Sequence, residues 1–414
     1  MSARLRGTVG ALACVMAAVV MVEGPAQAAA LPTTEYFFSV GTYGTEVSGG
    51  DLPINSGRTV PAIVKCTSTF PLTRQNRAAQ LNYGAAGVRV GAVTTESRSQ
   101  AVPNGLASVS TATASDVSVG DPLTGQLRIT GLRVRSIAAF VNDQPRPTTS
   151  GSIVSATFTV AGVPQNVTLD QLREGFVVPG VGTVSFLVGR KKASPDAVLA
   201  QAIGLRVDLP ATNTRINVAR TIARMDKIPF NRSFGGFASI AETNLGDETV
   251  TSGPLVSKPH PCIGTGGVWK TESLARGSLE DVISVKNAVV GVRSGHLPNN
   301  VSDARSSAAV ESASLLDGRI RLSGVRATAI VTRGATGKYT RSSVGTTIAR
   351  LIVDGDVINL PPPGQPLVIE GVVKFTFAEV TPTRKGLTVT AARLELLDGS
   401  ENVVTVATAA ARVG

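Results

Sequence analysis

One strand is written twice in this chain. GQLRITGLRVRSIAAFV at residues 125–141 returns in the back half as GRIRLSGVRATAIVT at 318–332. Each run opens on a glycine, alternates apolar with basic or polar residues, and meets a second glycine at its seventh position, Gly131 or Gly324. Alternation then resumes with its parity shifted by one. The match extends in both directions. FFSVGTYGTEVSGGDLPINSG (37–57) parallels FGGFASIAETNLGDETVTSG (234–253), and each is followed by a proline-containing segment and a cysteine, Cys66 or Cys262. Downstream, IVSATFTVAGVPQNVTL (153–169) parallels IARLIVDGDVINLPPPG (348–364), and VPGVGTVSFLV (178–188) parallels IEGVVKFTFAEV (369–380). Last, residues 202–225 parallel residues 391–413. Collinear matches at a near-constant offset mark an internal duplication. The chain therefore reads as copy one, 33–226, and copy two, 230–414. The link between them, Asp226-Lys227-Ile228-Pro229, is short, which favours copies packed together over tethered beads.

Within a copy the periodicity is that of strands. Val184, Phe186 and Val188 alternate with Thr183, Ser185 and Leu187, and Phe375 and Phe377 with Lys374 and Thr376. A parity flip at Gly131 and Gly324 calls for a bulge or tight bend, which glycine's permissive backbone allows. Ser194-Pro195-Asp196 before AVLAQA has the look of a helix start. Its partner in copy two, TPTRKGLTVTAARLELL, alternates like a strand, so a turn followed by a strand is expected instead. One helical turn is expected from Thr168 to Glu174, ended by Gly175. Copy two has Pro361-Pro362-Pro363 there, so this turn is not shared. The expected architecture is all-β: two tandem homologous antiparallel β-sandwich, or partly closed barrel, domains. A right-handed β-solenoid is the less favoured alternative, since short periodic coils are not visible.

The 414 residues, 43% hydrophobic, are enough for sizeable cores. Residues 1–28 read as a secretory leader. Arg4 and Arg6 precede an apolar run from Val9 to Val22, and Ala26-Gln27-Ala28 offers a small-x-small cleavage site. The run is short for a bilayer span, so no transmembrane anchor is expected after cleavage. Cleavage removes Cys14 and leaves Cys66 and Cys262, an even number in an oxidising compartment. If the copies pack about a pseudo-twofold axis, these equivalent residues meet, and a bridge would staple the halves. Two free buried thiols, or an intermolecular bond, are the alternatives. The charge of +11 is carried by basic residues scattered singly along strands, with Arg190-Lys191-Lys192 the one dense run. A solvated surface is the plain reading, and attraction to acidic envelope polymers the sharper one. Nucleic acid is not expected: no binding motif is present, and aromatics for base stacking make up 4% of the chain.

Signatures of chemistry are sparse. The two histidines, His260 and His296, fit no zinc spacing. His260 lies two residues before Cys262, but Cys66, the equivalent cysteine, has no histidine beside it, so a structural role is favoured over a Cys–His nucleophile. No G-x-S-x-G elbow occurs. Gly264-Thr265-Gly266-Gly267 precedes Val268-Trp269-Lys270 and reads as a loop rather than a phosphate cradle. Asp354-Gly355-Asp356 reads as a hairpin turn rather than a Ca²⁺ loop. Paired carboxylates for sugar hydrolysis would be invisible at this level, and one Trp and four Tyr supply few sugar platforms. No cofactor, metal or catalytic residue is assigned.

In copy two, SFGGFASI, PCIGTGG, LLDGRIRLSGVRATAIV, VDGDVINLPPPGQ and GLTVTAARLELLD follow one another. This order resembles the secreted actinobacterial choice-of-anchor P family proteins, and copy one carries it more loosely. The resemblance implies an exported, surface-associated, β-rich protein of unknown biochemical role. The family is named for varied anchoring signals, and this sequence departs from it by stopping at ATAAARVG without a sorting motif. Release or non-covalent retention is therefore expected. The function expected is a non-enzymatic extracellular or envelope-associated structural or interaction protein, with acidic envelope polymers or another surface protein as partner. The alternative is a small-ligand or polysaccharide binder using a cleft between the copies.

Overall fold

A computed structural model of the chain describes residues 32–48, 58–83, 86–228, 233–244, 251–252, 254–279, 282–397 and 402–414. The leader expected over 1–28, with Cys14, lies outside the described residues. So do residues 49–57, 245–250 and 253 of the two matched segments and Pro229 of the link. Residues 32–414 make one compact unit, built from four open antiparallel sheets.

Two sheets belong to the front half. In the first, β1 (Thr33–Ser48) pairs with β2 (Arg58–Thr59) and β3 (Ala62–Thr69) on one side. On its other side follow β16 (Thr214–Lys227), β15 (Ala197–Leu209), β14 (Gly182–Ser194) and β13 (Phe176–Val178). The second sheet is centred on the pair β8 (Gly105–Asp121) and β9 (Gly125–Val141). Beyond β8 lie β7 (Val93–Val102) with β4 (Leu72–Ala78), and β6 (Val88–Val90) with β5 (Leu81–Tyr83). Beyond β9 lie β10 (Gln144–Ser152), and β11 (Ser155–Val160) with β12 (Val163–Asn166).

The back half repeats this plan. β17 (Phe234–Ile240) and β18 (Glu242–Asn244) stand where β1 stands, flanked by β19 (Thr251–Ser252) and β20 (Val256–Pro259). On the other side follow β31 (Val403–Val413), β30 (Gly386–Leu396), β29 (Val373–Thr383) and β28 (Pro366–Ile369). The second sheet runs β21 (Lys270–Leu279), β22 (Ile283–Leu297), β23 (Val301–Leu315), β24 (Ile320–Arg333), β26 (Arg350–Val353) and β27 (Asp356–Ile358). β25 (Tyr339–Ser342) adds to β24 as β10 adds to β9. The strand orders coincide throughout.

In each half the two sheets face one another. β1 and β16 pack over β8 and β9, and β17, β30 and β31 over β23 and β24. The apolar residues of each strand point inward between them. The result is a tandem pair of β-sandwiches, and neither half closes into a barrel. The one α-helix among the described residues, α1 (Leu169–Glu174), is capped by Thr168, with Gln171 completing a capping box, and ends at Gly175. The turn after Ser194 leads into β15, as the repeat requires.

The parity flip is a crease. Gly131 has φ 60° and Gly324 φ 59°, both left-handed. At that level one residue on each partner drops out of the ladder: Ser115 with Gly131, and Glu311 with Gly324. The same interruption crosses the other sheets at Leu187, Gly204 and Ala219, and at Ala378, Ala391 and Ala407. Because both partners skip one residue, register survives while the inward face switches parity.

The interiors differ. In the front half a layer of buried hydroxyls divides the apolar core. Thr42 Oγ1 bonds Ser97 Oγ at 2.8 Å and Ser110 Oγ at 2.6 Å, and Ser136 Oγ bonds Thr221 Oγ1 at 2.7 Å. By ladder register the same places in the back half hold Ala238, Val292, Ser306, Ala329 and Ala409. The back half accordingly has one continuous apolar core.

Candidate functional site

The junction between the halves holds the cysteine pair. Cys66 lies on β3 and Cys262 just beyond β20, and they form a disulfide with Cα atoms 5.5 Å apart. The two are register equivalents. Gly41 pairs with Ile63 and Phe237 with Pro259, and each cysteine follows three residues later. Phe37 and Ile228 pack around the sulfurs. Arg412, half-buried beside them, donates from its guanidinium to the Cys66 carbonyl. Burial holds the Arg412 pKa below its ordinary value. The alternatives of free thiols or an intermolecular bond therefore do not describe this structure.

Charged side chains complete the junction. The Lys65 Nζ sits 3.3 Å from the centre of the Phe237 ring. The Lys65 side chain is exposed, and packing of its ammonium against the ring lowers its pKa from the ordinary value, with Glu242 opposing the fall. Burial raises the Glu242 carboxyl, with Lys65 opposing. Arg58 reaches across from Nη1 to Ser257 Oγ at 3.0 Å, while its Nε donates to Glu46 Oε1 at 2.8 Å. Arg220 donates to the other Glu46 oxygen, and Asn217 adds a bond at 3.3 Å. Burial disfavours the Glu46 charge, but the Arg220 and Arg58 guanidiniums overcome it and hold its pKa below the usual carboxylate value. Glu46 is thus matched by Arg58 and Arg220, and this cluster serves the fold.

His260 is buried between the back-half sheets. Nδ1 lies 3.1 Å from Ser294 Oγ and Nε2 2.9 Å from Ser306 Oγ. Ser306 gives its own hydrogen to the Ala410 carbonyl at 2.6 Å, so Nε2–H is the donor to Ser306 and Nδ1 accepts from Ser294. Burial pushes the His260 pKa down to about 4. With Cys262 bonded to Cys66, this histidine has no thiolate beside it to activate, and its place is structural.

His296, the glycine loop and Asp354 lie apart from this site. His296 is exposed, contacts Ser302 Oγ at 2.8 Å and lies against the Phe234 ring. Gly264 and Gly267 belong to a loop pinned to Ser294 by the Thr265 and Gly267 amides. Asp354 and Gly355 form the left-handed turn between β26 and β27, and Asp354 takes two bonds from Arg319 at 2.8 and 3.0 Å. Among the described residues no cluster of three His, Cys, Asp or Glu side chains could hold a metal ion. No helix among them is long and apolar enough to cross a membrane.

Two concavities stand out, one on each half and away from the junction. The larger, about 730 Å³, lies on the outer face of the back-half sheet below the crease, lined by Lys286, Arg321, Arg350 and a set of serines. The other, about 720 Å³, lies at the matching end of the front half beside Arg89, Ser118 and Gln126. In the sequence these cations are among the basic residues scattered singly along strands. Their convergence depends on which strands are neighbours, and that is not written in any one strand.

Neither a protein-family model nor a curated protein matches the chain.

Proposed function

We propose that the protein is exported and works outside the cell as a non-enzymatic structural or interaction protein, retained at or near the cell envelope. The observation that carries this reading is the buried Cys66–Cys262 bond at the junction of the two sandwiches. Such a staple forms and persists in an oxidising compartment. The basic leader at 1–28 and the resemblance to choice-of-anchor P proteins point the same way. Glu46 and Asp226 are held in ion pairs that serve the fold, while among the described residues Lys286 and Arg350 face outward without an ion pair, which suits binding to acidic envelope material.

A polysaccharide or small-ligand cleft between the halves has less support. The junction is filled by the cysteines with Phe37 and Ile228, and the concavities lie on each half separately. The deciding experiment is retention of purified mature protein on isolated cell envelopes across a salt series. Retention that weakens as salt rises supports the reading, because screening loosens exposed charge contacts. Absent or salt-indifferent retention overturns it.

A further inference from the structure

We infer that the outer face of the back-half sheet is a binding track for an acyclic polyol polymer linked by phosphodiesters. This deepens the reading of an envelope interaction protein and rests on it.

The track follows from ladder register. Arg276 pairs with Lys286, Lys286 with Ser312, Ser312 with Ser323, and Ser323 with Arg350. These five residues, from β21, β22, β23, β24 and β26, form one row across the sheet. The adjacent row runs Ser278, Ser284, Ser314, Arg321 and Ile352 by the same ladders. Five strands about 4.8 Å apart make a row of roughly 19 Å. Cations stand at both ends of the first row and hydroxyls between them. That order matches a chain in which anionic links alternate with hydroxylated segments.

Three observations favour a ligand over a merely solvated face. First, Arg276 and Lys286 face each other directly, an arrangement that destabilises an antiparallel pair. Among the described residues no carboxylate forms an ion pair with Arg276, Lys286 or Arg350. Among the described residues Asp317 is the one acidic group lining the basin, at one end.

Second, the face is concave, an open basin of about 730 Å³ under the crease. Third, the front half is an internal comparison. Its equivalent first row holds Gly91, Asp116, Thr130 and Ser155 where the back half holds Lys286, Ser312, Ser323 and Arg350. There the polar groups satisfy one another. Ser115 donates to Asp116 at 3.0 Å, and Thr130 and Ser155 share a bond of 2.7 Å. At this row the shared backbone carries cations in the back half and an aspartate with paired hydroxyls in the front half, whose cations Arg89 and Arg128 stand one row away with Ser118 between them.

The choice of phosphodiester and acyclic polyol rests on the lining. Guanidinium forks match phosphate oxygens two at a time, and serine hydroxyls both donate to and accept from a polyol. Among the described residues the basin carries no aromatic ring on which a pyranose would stack.

The test is binding of the full mature chain to soluble poly(glycerol phosphate), measured by calorimetry at low and moderate salt. The Lys286→Ala/Arg350→Ala double variant is expected to lose tenfold or more in affinity with an unchanged thermal melt. The front-half control, Arg89→Ala/Arg128→Ala, is expected to change less than threefold. Polyglutamate, charged without hydroxyls, and polygalacturonate, a ring polymer, are expected to bind at least tenfold more weakly. An unchanged double variant, an equal loss in the front-half control, or equal binding of either comparison polymer overturns the assignment. If the double variant still holds envelopes like the unaltered protein, the track is wrong and the envelope reading stands. If the unaltered protein does not hold envelopes at all, the envelope reading fails, whatever the soluble polymer does.

Discussion

Cys66 and Cys262 are bonded to each other and are also each other's counterparts in the duplicated strand plan. Joining equivalent positions closes a loop of 196 residues, and on the chain-entropy model such a closure contributes up to about 5 kcal/mol. Denatured, unreduced mature protein should therefore show no free thiol. Cys66→Ser/Cys262→Ser should melt at lower temperature while keeping its strand signature. Two titratable thiols in the unreduced protein would remove the staple.

The crease should be intolerant at its glycines. A methyl group added at Gly131 would lie 2.4 Å from a Val154 side-chain carbon, and one at Gly324 2.8 Å from Ala349 Cβ, each on a left-handed backbone. Gly131→Val should cost about 2 kcal/mol or more. Arg133→Val, exposed two residues on, should stay within about 0.5 kcal/mol. Equal midpoints in urea would show that no bulge is needed there.

Acid should loosen the back half through His260. Its folded pKa, about 4, lies below its unfolded value, so the unfolded chain binds the proton more readily. The neutral side chain's full contribution is present above about pH 6.5 and is lost as pH falls toward 4, by roughly 3 kcal/mol over that window. The front half has Val64 at the equivalent place. His260→Val should flatten this part of the pH–stability curve, and an unaltered acid slope in that variant would exclude His260 as the source.

Glu46 holds two guanidiniums at once. Glu46→Gln should cost about 3–5 kcal/mol, because it leaves Arg58 and Arg220 largely buried without their anion. Since the folded Glu46 pKa is depressed, its contribution is present above the ordinary carboxylate range and fades as pH falls through the folded value. A chemical-denaturation series from pH 7 to pH 3 reads both effects. A variant as stable as the parent at pH 7 would show that this cluster contributes nothing to the fold.

The strand plan was legible because duplication let each half check the other. The helix-like start at Ser194-Pro195 is a case: alone it points to a helix, and its partner segment settles it as β15. Gly131 and Gly324 were legible for the same reason. The cysteine pair could be named as candidates but not bonded, since their approach depends on how β3 and β20 meet. The Glu46–Arg58–Arg220 cluster and the row from Arg276 to Arg350 left no trace in periodicity. Each joins residues whose nearness comes from neighbouring strands, and a strand's own alternation records only inward or outward.

The hydroxyl layer of the front half has a wider consequence. Thr42, Ser97, Ser136 and Thr221 became, or came from, Ala238, Val292, Ala329 and Ala409 without any strand changing its neighbour. One backbone plan accepts a hydrogen-bonded filling and an oily one alike. What the two descendants have kept is punctuation, the turns and the creases. Their interiors were free to drift, and so were their outer faces, which is where divergent duplicates can take up separate tasks.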